Sequence, residues 1–358
     1  MRVLGIETSC DETSAAVLED GPQSTSLRSL VILSQDVHRV FGGVVPEIAS
    51  RAHLTAIVPV VARAISDAGY TRADIDAVAV THAPGLVGAL LVGVGFGAAL
   101  AYARGIPLVG VHHMEGHLFA AALEHPDAVP PFTALLVSGG HTMLLDVAAW
   151  GAYRLLGRTR DDAVGEAFDK VAKLLGLPYP GGSSLERLAA TASGGSFRFT
   201  RPMVRRDQRP DDSEYYDFSF SGLKTAVLLA VRAAESRSPI VEGANGRELA
   251  VDLRAQIARA FQDAAIDTLV EKTTRAVAQY GRNRIVLGGG VACNQALVDA
   301  MRRRAGPLGA AVYAPSARLA TDNAAMIARA GLFHLQRGER SGLTLTATAS
   351  HRIPGLIE

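Results

Sequence analysis

The feature that most limits how this chain can fold is a short unit that occurs twice: an apolar strand, a small polar tip and a returning strand. It first runs Val3 to Thr8, Ser9-Cys10-Asp11-Glu12-Thr13, then Ser14 to Leu18, and it returns as Thr133 to Val137, Ser138-Gly139-Gly140-His141, then Thr142 to Val147. Short apolar runs closed by small polar residues read as hairpins. Further apolar strands follow at Ile75 to Thr81 and Arg284 to Leu287, among helical patterns, which predicts an α/β protein built from a duplicated lobe. At 358 residues and 48% hydrophobic content the chain has enough material for two cores.

One stretch competes with that reading. Ala83 to Ala103 carries no charge over a length that would span a bilayer. It opens with Pro84-Gly85, holds glycines at 88, 93, 95 and 97, and passes through Arg104-Gly105 into the strand-like Ile106 to Val111. The expectation is a fully buried core helix whose small residues let a neighbour approach closely, and no membrane span. A net charge of +1 announces no nucleic-acid binder at the level of the whole molecule. Lysine occurs only at 170, 173, 224 and 272, so the positive charge is nearly all arginine. Two cysteines, Cys10 and Cys293, offer no disulfide framework, and with no charged-then-apolar leader the expected location is a reducing cytoplasm.

Chemistry concentrates in His113-Met114-Glu115-Gly116-His117. Histidines four apart share one helix face and can hold one metal ion, or can simply be hydrogen-bonded. A His-Glu-x-x-His protease places its general base one residue after the first histidine. Here Glu115 comes two after, about 200° around the helix and away from any ion, so the protease lacks its base. Thr321-Asp322-Asn323 precedes an apolar helix from Ala324 to Leu335, and Thr321 or Asp322 either caps it or, in the case of Asp322, turns to the histidines. That second arrangement of two imidazoles and a carboxylate leaves open positions suited to iron or zinc. Gly288-Gly289-Gly290, after a strand and before a helix, suits backbone approach to a nucleotide or merely a tight turn. Phe197 to Tyr216 gathers Arg198, Arg201, Arg205, Arg206 and Arg209 among four aromatics and reads as an exposed basic loop, either solvated or tracking RNA.

Taken in order, these segments resemble the tRNA N6-adenosine threonylcarbamoyltransferase family, formerly described as O-sialoglycoprotein endopeptidases. The resemblance is carried by Gly5 to Ser14, Gly42 to His53, Ala83 to Leu86, His112 to His117, Ser138 to Thr142, Gly165 to Lys170, Phe218 to Lys224, Gly288 to Asn294 and Thr321 to Ala325. It implies the two-lobed actin, Hsp70 and sugar-kinase fold with ribonuclease-H-like lobes, the first formed by residues 1–130 with 322–358 and the second by 131–321. It also implies transfer of threonylcarbamoyl from threonylcarbamoyl-adenylate to N6 of adenosine 37 in tRNAs reading codons that begin with A, releasing AMP. By the same resemblance His113, His117 and Asp322 hold one divalent metal, iron or zinc with Fe2+ favoured. Leu136, Val137, Ser138, Gly139, Gly140, Asp169, Gly182, Glu186 and Asn294 line the adenylate site, and Asp11 and Glu12 are acidic active-site positions. Ser183 stands where the family usually has proline.

The implied partners are the tRNA anticodon loop and, in the bacterial arrangement, a catalytically inactive paralogue and a small ATPase. The competing readings are a kinase or ATPase of the same superfold and a non-catalytic nucleotide-sensing scaffold.

Overall fold

The computed structural model describes residues 1–21, 24–192, 194–237, 241–243 and 246–357. Along the chain it forms β1 (Arg2–Glu7), β2 (Glu12–Asp20), β3 (Thr25–Ser34), α1 (Pro46–Asp67), β4 (Ala77–Ala83), α2 (Val87–Arg104), β5 (Leu108–His112) and α3 (His113–Ala120). There follow β6 (Phe132–Val137), β7 (Thr142–Ala149), β8 (Ala152–Arg158), α4 (Val164–Leu174), α5 (Gly181–Ala190), α6 (Ser221–Arg237), β9 (Val241–Gly243) and β10 (Gly246–Glu248). The remainder is α7 (Val251–Tyr280), β11 (Arg284–Gly288), α8 (Gln295–Ala305), β12 (Ala311–Tyr313), α9 (Ala317–Ala320), α10 (Ala324–Gln336) and β13 (Leu356–Ile357). The chain divides into two compact units, residues 1–129 with 315–356 and residues 130–314 with 357–358.

Both units use the same sheet plan. The first is ordered β3-β2-β1-β4-β5 and the second β12-β11-β6-β7-β8-β13. In each, an antiparallel meander (β1-β2-β3, β6-β7-β8) is extended from its first strand by two parallel strands (β4-β5, β11-β12). Both hairpins read from the sequence therefore open a sheet of matching topology, as a duplication requires. β4 and β6 are buried along almost their whole length, which explains their largely apolar sequences. The first unit packs Leu4, Ile6, Val78 and Val80 of its sheet against Ile57, Val61 and Val94 of α1 and α2. The second packs Leu135 and Leu287 against Phe168 of α4 and Phe261 of α7. Each such side chain contributes about 1.5–3 kcal/mol relative to exposure.

Helix α10 lies so close on the first sheet that only small residues fit. A β-carbon on Gly5 would come 2.2 Å from the Ala324 carbonyl oxygen, and one on Gly331 would come 2.3 Å from Ala79 Cβ. The helix start, with the residues just before it, is thereby fixed at the end of β1.

Helix α2 departs from the sequence expectation of full burial. Gly93 faces inward against Thr8 and Gly97 against Val78 and Val80, but Gly95 is exposed, and Val87, Leu91 and Tyr102 are exposed at 43, 54 and 74%. The helix packs by one face only, and the opposite face is apolar as well, so composition alone could not separate them. By length and hydropathy α1 and α2 could each cross a membrane; in this fold both lie on the first unit's sheet. The segment after α10 returns along that sheet, with Ser341 N–H donating to the Leu108 carbonyl at 2.8 Å and Thr348 N–H to that of His82 at 2.9 Å.

Candidate active site

In the first unit β5 runs directly into α3, so the strand end places His113 at the sheet's edge and the helix repeat places His117 beside it. The two rings lie 4.8 Å apart and nearly perpendicular. Asp322 reaches the same point from the residues before α10: its Oδ1 is 3.4 Å from His113 Nε2 and 3.3 Å from His117 Nε2. The question of which residue caps α10 is answered by Asn323, whose side-chain oxygen accepts from Met326 N–H at 3.1 Å. Capping by Asn323 frees the Asp322 carboxylate for the histidines.

The three ligand atoms lie within 4.8 Å of one another. A tetrahedral centre with bonds of about 2.1 Å has ligand–ligand edges of about 3.4 Å, close to the two short separations here. Among the described residues neither ring nitrogen of His117, fully buried, has a hydrogen-bond partner, a costly state for a polar group that a cation at Nε2 would relieve at that atom. The residues present fit a divalent ion.

The sequence reading assigned no role to the residue that orients His113. Glu7, at the end of β1 and fully buried, accepts from His113 Nδ1 at 3.0 Å and Thr81 Oγ1 at 2.6 Å, and also from Ser9 N–H. Ser9 Oγ is 3.2 Å from the same ring nitrogen. A ligating imidazole that donates its other N–H to a carboxylate has its tautomer and orientation fixed. Burial opposes ionisation of Glu7, but the charge and hydrogen bond of His113 hold its carboxyl below the usual range. For Asp322 too, burial is outweighed by both histidines and the carboxyl stays ionised. Burial likewise works against a charged His113, yet Asp322 and Glu7 raise its pKa; a cation at Nε2 would replace that proton.

Asp11 and Glu12 stand at the tip between β1 and β2. Burial, then the charges of Asp322 and Asp11, push the Glu12 carboxyl up to about 9, which places it electrostatically beside the metal group. His53 of α1, fully buried, spans this tip: its Nδ1 is 2.8 Å from Thr13 Oγ1 and its Nε2 3.0 Å from the Cys10 carbonyl. The sequence reading gave His53 no role.

In the second unit, the residues expected to line an adenylate form one connected group. Leu136 and Val137 are buried at the end of β6, and Ser138 closes the turn by accepting from His141 N–H at 3.1 Å while its own N–H donates to the His141 carbonyl at 2.8 Å. A β-carbon on Gly139 or Gly140 would meet nothing within 4 Å, whereas one on Gly289, at φ +89°, would come 2.4 Å from the Val137 carbonyl. Gly139 and Gly140 thus leave backbone open to a ligand, and Gly289 lets the two strand ends close up. Gly165 of α4 donates to the Ser138 carbonyl at 3.2 Å. Asp169 accepts from Gly181 N–H at the start of α5 at 2.8 Å, and Gly182 follows with open space. Ser183 lies in that first helical turn, where proline is also compatible with a helix. Glu186 accepts from Gln295 N–H at 2.8 Å, and Asn294 caps α8 through Leu297 N–H at 2.9 Å while donating to Gln262 at 3.1 Å. The first turns of α4, α5 and α8 are tied to this group, each offering the partial positive charge that favours an anion.

The basic loop reads differently in three dimensions. Its five arginines stand among Asp207, Asp211, Asp212 and Glu214; Arg201 binds Asp267 at 3.0 Å and Arg205 lies 3.8 Å from Glu214. Phe199 and Tyr216 are in the core, with Phe197 and Tyr215 packed against it. Two of the four rings thus belong to the second unit's core and the other two are half-buried against it, so residues 197–216 fit the solvated alternative better than a display of four rings for unpaired bases.

Fold and site define a protein of the actin, Hsp70 and sugar-kinase class that carries a two-histidine, one-carboxylate group. The solved structures that it resembles share the fold: HypF of T. kodakarensis superposes with a TM-score of 0.60 at 13% identity over 94% of this chain and 48% of that one. Component A of (R)-2-hydroxyglutaryl-CoA dehydratase from Acidaminococcus fermentans gives 0.50 at 15% identity over 92 and 95%. The family model for tRNA N6-adenosine threonylcarbamoyltransferase matches residues 26–329. Proteins of that name from Gemmatimonas aurantiaca and Nitrosospira multiformis are 66 and 48% identical, over 100 and 95% of this chain and 98 and 92% of theirs. The chain belongs to the tRNA N6-adenosine threonylcarbamoyltransferase family and is a tRNA-modifying transferase.

Proposed function

We propose that the enzyme transfers threonylcarbamoyl from threonylcarbamoyl-adenylate to N6 of adenosine 37 in tRNAs reading codons that begin with A. The observation that carries this reading is the convergence of His113, His117 and Asp322 in a chain of this family. The N6 nitrogen attacks the carbamoyl carbon, the bond from that carbon to the phosphate oxygen breaks, AMP leaves, and the nitrogen gives up one proton. An exocyclic adenine amine is a poor nucleophile, so orientation of both reactants is the main demand.

His113, His117 and Asp322 hold a divalent ion, iron or zinc by the chemistry of the donor set, with Fe2+ favoured by the family resemblance. When bound, that ion supplies Lewis-acid polarisation of the carbamoyl carbonyl. Glu7 keeps His113 in the ligating tautomer. The Ser138-Gly139-Gly140 turn and the helix starts beside it hold the adenylate phosphate, and Asp169 and Glu186 accept from ribose hydroxyls. Asn294, whose amide is used within the protein, shapes this site from the start of α8. Asp11, at the tip between β1 and β2, takes the amine proton, with Glu12 beside it at the same tip. A cytoplasmic enzyme working with an inactive paralogue and a small ATPase completes the reading.

The test is mass spectrometry of tRNA nucleosides after incubation with threonylcarbamoyl-adenylate and a bacterial partner set of proven activity. Threonylcarbamoyl-adenosine is expected from the unaltered chain and not from His113→Ala; no product from either would overturn the reading. Asp11→Asn is expected to lower kcat by about 100-fold or more, the scale of a general base.

A further inference from the structure

Glu115, the residue whose position excludes the protease, has a partner on the opposite side of its helix. It is fully buried between the two histidines in sequence, and its Oε2 lies 2.8 Å from His334 Nε2 on α10. His334 is 7% exposed and its Nδ1 lies 2.7 Å from Glu339 Oε2. With a carboxylate at each nitrogen the ring donates twice, as an imidazolium. Burial opposes that charge, but the hydrogen bonds and charges of Glu115 and Glu339 raise the His334 pKa.

The two partners belong to the two elements that carry the metal ligands. α3 bears His113 and His117, and Asp322 stands two residues before α10. The spacing between the histidines is set by one helix, but their distance to Asp322 depends on how α3 docks on α10. That docking has apolar and ionic contacts. Gly116 faces Ile327 so closely that a β-carbon would come 2.9 Å from Ile327 Cδ1, and Phe119 packs against Phe333 at 5.4 Å between ring centroids, with Arg329 over the Phe119 ring. The Glu115–His334 pair adds a directional, charged contact seven residues or about 10 Å beyond Ile327 along α10 by helical rise. A 10° roll of α3 would move a group at the side-chain radius of about 5–6 Å by about 1 Å. Metal–ligand bonds tolerate about ±0.2 Å.

We propose that Glu115 and His334 are positioning residues for the metal centre, a buried clamp that stops α3 from rolling on α10 and so holds both histidines at bonding distance from the Asp322 carboxylate. The inference rests on the metal reading of His113, His117 and Asp322. Co2+ is the probe, read by its binding isotherm and its visible absorption band, beside thermal unfolding of the same metal-free samples. The variants are Glu115→Leu, Glu115→Gln and the double Glu115→Leu/His334→Leu. Glu115→Leu is expected to bind Co2+ about 10- to 100-fold more weakly, the scale of outer-shell partners, with an altered band. Glu115→Gln keeps an acceptor for His334 and is expected to restore both. In the double variant an apolar pair replaces the buried ions, which commonly restores stability; thermal stability is expected to return while affinity and band do not.

Wild-type affinity and band in folded Glu115→Leu and in the double variant would overturn the proposal. So would loss of the fold in both, which makes the pair a folding determinant instead. If the unaltered chain itself binds no Co2+ that His113→Ala abolishes, the metal reading fails first and the clamp with it.

Discussion

At the scale of the residue, the site depends on side chains that never touch a ligand. Glu7 sits behind His113, and Glu7→Gln, which keeps the shape but not the charge, is expected to weaken divalent-metal binding about 10- to 100-fold, measurable by competition with a chromophoric chelator. The pairing of His113 with His117 was legible because a helix imposes the His-x-x-x-His spacing locally. Glu7 was less so: its only signal is a carboxylate at the end of the apolar run Val3 to Ile6, and its partner lies 106 residues away. The rare lysines tell a similar story. Lys170 and Lys224 both bind Asp162, at 3.0 and 3.2 Å, and Lys272, fully buried, donates to the Glu214 and Tyr215 carbonyls at 2.7 Å. Burial, aided by Arg275, lowers Lys272 to about 8. The unfolded chain then binds more protons between about 8 and 10.4, so this residue makes stability rise with pH across that window. The change in urea midpoint from pH 8 to pH 10 should be less positive in Lys272→Met than in the unaltered protein.

At the scale of the element, close packing does what hydrogen bonds alone would not. α10 meets β1 at Gly5 and β4 at Ala79 through Gly331, and the Asp322 carboxylate is delivered by that fit. Gly5→Ala must push the α10 backbone away, with a cost on the scale of about 1–3 kcal/mol. Urea denaturation should show the loss, and Co2+ affinity should fall with it; an unchanged midpoint would mean that α10 yields freely. Element positions were legible from apolar spacing, since both hairpins and α10 appear where the sequence puts them. Which face of α2 is covered was not, because Val87 and Leu91 look like core residues wherever they point. The arginine-rich loop stayed open between two readings for a related reason: a run of sequence shows its charges but not that Asp267, far along the chain, neutralises one of them.

At the scale of the whole molecule, two sheets of one topology carry different work: ligand side chains gather in the first unit, and open glycine turns beside helix starts in the second. Metal binding is expected to stabilise the chain by about 2.7 kcal/mol at a free concentration one hundred times Kd. Differential scanning fluorimetry should show the gain in the unaltered chain and none in His113→Ala/His117→Ala. The duplication was visible in one matched pair of hairpins, while the path of the chain was not. The first unit is begun by residues 1–129 and finished only by 315–356. A nascent chain therefore exposes its histidine helix 209 residues before the aspartate that completes the set. At translation speeds of 5–20 residues per second that interval is about 10–40 s. No truncated product ending before residue 322 can assemble the three-ligand set, so metal loading reports that synthesis has passed nine-tenths of this sequence.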